Sequence, residues 1–148
     1  MWAVTWSTSQ RQVPTQLAAM ARRTSPILPI ARRHGEPLAT REGVRLRYGD
    51  LRIRAYAARS TVYRTARLLD AGHNAVNETA AAKVFASEVV GELADAAIQL
   101  VGGEALADDH PLSATYRRVR AWRLAEGESD VLRLAVARGK LDLGLGRI

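Results

Sequence analysis

Glu126-Gly127-Glu128, with Asp130 two residues further on, gathers three carboxylates around one glycine. A carboxylate becomes a general base when water is excluded from it, because desolvation raises its pKa toward neutrality. The adjacent glycine lets a flat group approach the backbone closely. Spacing alone favours a plainer reading, in which these are solvated acids in a turn between helices. Gly102-Gly103 by itself reads as a helix cap followed by a turn. The three histidines, His34, His73 and His110, are scattered at loop or helix ends and belong to caps or surface. No spacing among them resembles a metal site. The chain has no cysteine, which excludes thiol catalysis, thiolate metal sites and a disulfide framework together. No elbow motif supports Ser/His/Asp catalysis.

The elements that must position these residues are helices. Val44, Tyr48, Leu51, Ala55, Ala58, Val62, Ala66 and Leu69 form one apolar stripe at steps of three and four. That stripe predicts a helix of roughly seven turns, ended by Gly72. Asn74 or Asn77 suits the cap of a second helix that runs to about Leu100. Its inner face is Ala82, Phe85, Val89, Leu93, Ala96 and Leu100, and Gly102-Gly103 ends it. Pro111 opens a third helix with Leu112, Thr115, Tyr116, Val119 and Trp122 facing inward. Glu126-Gly127-Glu128 interrupts, and a last helix covers residues 129–138. No segment shows a convincing period of two. The fold class is all-α, an antiparallel helical bundle built on two long helices.

The 148 residues divide near position 40. Residues 1–40 hold four of the five prolines, Pro14, Pro26, Pro29 and Pro37, and form an atypical N-terminal segment. A short helix over residues 15–23 is compatible with them, with disorder over the first ten. Residues 41–148 form the bundle. No apolar run approaches the ~18–20 residues needed to span a bilayer, and the N-terminus lacks the n-region and h-region of a signal peptide. A soluble, cytoplasmic protein is expected.

The net charge of +7 is uneven. Residues 1–67 carry 13 arginines against Glu36, Glu42 and Asp50, for +10, while residues 68–148 sum to −3. That footprint invites a nucleic-acid reading. However, Arg45, Arg52 and Arg59 repeat every seven residues, as on a solvated helix flank, and no aromatics interleave for base stacking. Phosphates of nucleotide cofactors suit the charge equally well.

From Arg32 onward a resemblance accumulates. Gly35-Glu36-Pro37-Leu38, Ala57-Ala58-Arg59, Ala82-Lys83-Val84-Phe85-Ala86-Ser87-Glu88 and Gln99-Leu100-Val101-Gly102-Gly103 follow in order. Pro111, Tyr116-Arg117, the run from Arg120 to Ser129 and Leu134-Ala135-Val136-Ala137-Arg138 complete the set. Over residues 32–140 the chain resembles the C-terminal helical domain of acyl-CoA dehydrogenases. Ala105, Ala125 and Glu128 stand where that family carries glycine, tyrosine and threonine.

The resemblance implies an FAD-dependent flavoprotein of fatty acid metabolism, an oxidoreductase that desaturates an acyl-CoA thioester between Cα and Cβ. It puts Glu126 at the position of the catalytic base, and Glu126 and Gly127 beside the substrate. It puts Gln99, Gly102, Gly103, Glu128 and Asp130 near FAD, and it implies no metal. It also implies an oligomer, since this domain forms most of the family's tetramer core. A complete family subunit has an N-terminal helical domain and a middle β domain as well. The chain on its own is therefore expected to be inactive until another chain supplies them. Two other readings stay open: a non-catalytic, oligomerising helical remnant and, with less support, a basic nucleic-acid-binding module.

Overall fold

The computed structural model describes residues 32–148. The helix expected over residues 15–23 and the disorder expected of the first ten lie outside them. Two long helices dominate, α1 (Glu42–Asp70) and α2 (Val76–Val101), followed by α3 (Pro111–Ala121) and α4 (Ser129–Leu141). Short 3-10 turns, Leu38–Thr40 and Gly103–Leu106, precede α1 and follow α2. The all-α bundle is as the sequence predicts, with one addition. A two-residue strand β1 (Arg32–Arg33) pairs antiparallel with β2 (Glu36–Pro37). Two residues are too few to show a period of two. The ladder forms because His34 and Gly35 both take positive φ, 55° and 81°, as the tightest hairpin turn requires.

The apolar stripe of α1 turns inward as spaced. Leu51, Ala55, Ala58 and Val62 are buried, and Val44, Tyr48, Ala66 and Leu69 are partly covered. Arg45, Arg52 and Arg59 lie on the solvated flank, with Arg59 over the Tyr63 ring. Helix α1 ends where Gly72 takes φ 75°. The Gly72 N–H donates to the Leu69 carbonyl and that of His73 to Leu68, the double bond of a Schellman cap. The chain then reverses. Thr65 of α1 bonds the Glu78 carbonyl of α2, and Arg54 pairs with Glu92. Rising numbers on one helix thus meet falling numbers on the other, which is antiparallel packing.

Helix α2 is the hub, since α1, α3 and α4 all pack on it. It is therefore buried over most of its circumference, down to the polar side chains of Asn77, Glu78, Thr79, Lys83 and Ser87. Small residues, among them Ala82, Ala86, Ala94 and Ala97, let its neighbours approach closely. Two side chains assigned to inner faces are exposed instead. Phe85 is 40% exposed and Tyr116 37%, because each falls on a side of its helix that the other helices leave open.

Cap chemistry also departs from expectation at the start of α2. Asn74 accepts a bond from the Val76 N–H at 3.4 Å. Asn77 is buried and does no capping; its amide donates to the carbonyls of Val136 and Leu145. Gly139 of α4 makes room for it, since a Cβ there would collide with the Asn77 amide. Among the described residues no helix is long and apolar enough to cross a membrane.

Candidate functional site

The site grows from the turn between α3 and α4. His110 caps α3 through its Nδ1, which accepts the Leu112 N–H at 3.2 Å, and Pro111 fills the first helical position. Val119 and Trp122 anchor the far end in the core. Leu124 and Ala125 still bond back to the Ala121 carbonyl. The chain then turns sharply. Glu126 has φ 58° and Gly127 φ 111°. Positive φ is uncommon for a residue with a Cβ and persists only where the surroundings hold it. Gly127 must be glycine, because a Cβ would lie 3.0 Å from the Leu132 side chain and the φ is forbidden to it.

Helix α2 supplies what holds the turn. Lys83 is only 8% exposed, and its Nζ donates to the carbonyls of Gly127 at 2.5 Å and Arg123 at 3.4 Å. One turn further along α2, Glu88 accepts from Arg133 of α4 at 2.7 Å and 2.8 Å and from Arg123 at 3.5 Å. Burial pushes the Lys83 ammonium below lysine's ordinary pKa. Glu126 opposes that shift most strongly, then Glu128 and Glu88, while Arg123 adds to it. Neither Lys83 nor Glu88 follows from the spacing of acids and glycines. The available signal was a lysine, one of two in the chain, inside the apolar pattern of α2.

Glu126 itself is exposed, on the turn rather than in a helix. Glu128 is the N-cap of α4, accepting the N–H of Asp130 at 2.9 Å and of Val131 at 3.3 Å. Asp130 pairs with Arg133 at 2.7 Å. Glu128→Ala is expected to cost about 0.5–2 kcal/mol, the usual loss for a removed cap. Urea unfolding measures it, and an unchanged midpoint would show that the cap contributes nothing.

Gln99, Gly102 and Gly103 lie elsewhere. At ~1.5 Å per residue along α2, Gln99 sits roughly 24 Å from the level of Lys83. The structure therefore separates the sequence-predicted residues into two groups at two ends of α2. Gln99 and Gly103 are exposed, and nothing lies within 4 Å of where a Gly103 Cβ would be. Gly102 turns at φ 106°, which a side chain would resist. At the start of α4, Glu128 occupies the N–H groups of Asp130 and Val131, and Asp130 adds a second acid beside it. Among the described residues no cluster of His, Asp and Glu is suited to hold a metal ion.

Comparison with known proteins agrees with this architecture. The family description "Acyl-CoA dehydrogenase, C-terminal domain" matches residues 6–141. An acyl-CoA dehydrogenase of Bacillus subtilis (strain 168) is 33% identical over 104 residues, 70% of this chain and 27% of that protein. The solved acyl-CoA dehydrogenase of Geobacillus kaustophilus has the same fold at TM-score 0.84 and 21% identity, covering 92% of this chain and 35% of that one. The solved FAD complex of PigA superposes at TM-score 0.82 and 24% identity, covering 92% of this chain and 35% of the other. The chain thus spans about a quarter to a third of the length of the proteins it matches. On the match over residues 6–141, this chain belongs to the acyl-CoA dehydrogenase family, through that family's C-terminal helical domain.

Proposed function

We propose that the chain supplies the proton-abstracting carboxylate and part of the FAD-binding surface of an acyl-CoA dehydrogenase, acting with the remaining domains of that enzyme. One observation carries the reading. Glu126, at the position of the family's base, is held at φ 58° on a turn that a buried lysine of α2 braces.

The Glu126 carboxylate would take the α-proton of an acyl thioester: the Cα–H bond breaks and the proton passes to a Glu126 oxygen. FAD, when bound, supplies the acceptor for the hydride that leaves Cβ, so the substrate becomes a trans-2-enoyl thioester. The Glu126 backbone N–H would donate to the thioester carbonyl, which makes the α-proton more acidic. Gly127 lets the flat thioester lie against the turn. Exposed as it is here, Glu126 needs a neighbouring domain and the substrate to exclude water from it before it can act as a base. Gln99, Gly102 and Gly103 would contact FAD, while Glu128 and Asp130 serve the start of α4. On the resemblance we place this activity in fatty acid metabolism, and we propose the cytoplasm as its location.

The test is spectroscopic. The chain is isolated together with the remaining domains of the enzyme, and flavin absorption is followed during anaerobic addition of saturated acyl-CoAs. Bleaching that requires this chain is expected, and the chain alone should bind no FAD. Bound flavin that no acyl-CoA of any length bleaches would refute the reading.

Exposed apolar side chains favour a second reading, a non-catalytic oligomerising module. Leu46, Ile53, Tyr56 and Tyr63 line one flank of α1, and Val131, Leu134 and Leu141 one flank of α4. Such flanks suit a second copy of the chain. Light scattering that gives a monomer at every concentration would remove it.

A further inference from the structure

We infer that Lys83 is a positioning residue for the Glu126 carboxylate, clamping the turn that carries it through the carbonyls of Gly127 and Arg123. An ammonium is costly to bury and is retained where it is hydrogen-bonded. Lys83 is almost fully buried, and its ammonium donates to two backbone carbonyls. Those carbonyls bracket the turn. One lies three residues before Glu126 and the other one residue after it. A clamp on backbone oxygens fixes the path of the chain whatever side chain the turn carries. Between the two fixed points Glu126 takes its left-handed φ, a conformation that needs outside support.

The charges that act on Lys83 are Glu126, Glu128 and Arg123 of the turn and Glu88 of α2. Of these, Glu126 acts on it most strongly, so the ammonium also attracts the carboxylate it positions. Arg123 and Arg133 are held separately by Glu88, which pins the chain on either side of the same turn. Helix α2 packs against the three other long elements of the bundle, so the clamp ties the turn to its central helix.

The absence of cysteine makes a clean experiment possible. Lys83→Cys introduces a unique thiol, which is alkylated in the unfolded chain. With 2-bromoethylamine the thiol becomes a thioether analogue of lysine. With 1-bromopropane it gains the same shape without charge or donors. Both products are refolded. NMR then reads the Glu126 carbon shifts and amide coupling, which report its φ, and the hydrogen exchange of the amides of residues 123–128. The aminoethyl form is expected to keep the left-handed signature and normal protection. The propyl form is expected to lose the signature, with exchange in the turn about ten- to a hundredfold faster and protection in α1 unchanged. A propyl form that keeps both would overturn the clamp, and so would an aminoethyl form that restores neither.

If the propyl form does not refold, the unmodified chain decides. Its Lys83 ammonium protons should be slow enough to observe and should correlate with the Gly127 carbonyl carbon; their absence would overturn the clamp. The catalytic meaning rests on the proposed role of Glu126. In the complete enzyme assembly the propyl form should lose kcat about tenfold or more with little change in KM, and the aminoethyl form should recover it. Undiminished activity of Glu126→Gln would overturn the role of Glu126 alone, since the turn readouts do not depend on activity.

Discussion

Glu126→Gln, in an assembly with the remaining domains, is expected to slow acyl-CoA-dependent flavin bleaching by about 10²–10⁴-fold, the usual contribution of a general base. Glutamine keeps the length and branching of glutamate, so the turn at φ 58° keeps its shape. The amide oxygen accepts hydrogen bonds, but it cannot take a proton from carbon. Because the side chain is exposed in this chain, its replacement should lower stability by no more than about 1 kcal/mol, the attraction to Lys83 that is lost. The bound-flavin spectrum should be unchanged, since the proposed FAD contacts, Gln99, Gly102 and Gly103, lie far along α2. The measurement is the stopped-flow bleaching rate at saturating acyl-CoA, with flavin content as the control. A rate equal to wild type would remove Glu126 from the chemistry and leave the non-catalytic module as the better account.

Trp122→Ala is expected to cost about 3–5 kcal/mol of stability, the range for truncating a buried large aromatic. Trp122 is 9% exposed and belongs to the main core cluster with Val119, Leu112 and the alanines of α2. Domains of this kind have only ~5–15 kcal/mol to lose, so the variant should unfold at a much lower urea concentration. The side chain also sits at the C-cap of α3, where the chain leaves the helix for the Glu126 turn. Exchange in the turn should therefore accelerate before α1 and α2 open. Equilibrium urea unfolding gives the stability, and a loss below about 1 kcal/mol would show that the indole packs loosely.

How much of this was legible beforehand varies by element. The stripe from Val44 to Leu69 foretold α1 almost residue by residue, because a helix with one covered face records its partner in its own period. Gly72, Gly102 and the His110-Pro111 pair marked ends correctly, since caps are local chemistry. Helix α2 was harder to orient. Three neighbours pack on it, so buried positions run almost all round and the period says little about which side is open. Phe85 is exposed for that reason, and Asn77, which the sequence offers beside Asn74 as a cap, reaches α4 and the C-terminal segment instead.

The sequence by itself determined the helices, most of their ends and the family likeness, and it offered Glu126, Gly127, Gln99, Gly102 and Gly103 as candidates. All of these rest on neighbours within a turn or two, or on the order of motifs along the chain. Only the tertiary structure decided what braces the candidate base. Lys83 reaches a carbonyl 44 positions later, and Glu88 meets Arg133 across 45 positions. Such bonds leave no period in the sequence, because packing on α2, and not chain distance, brings their ends together.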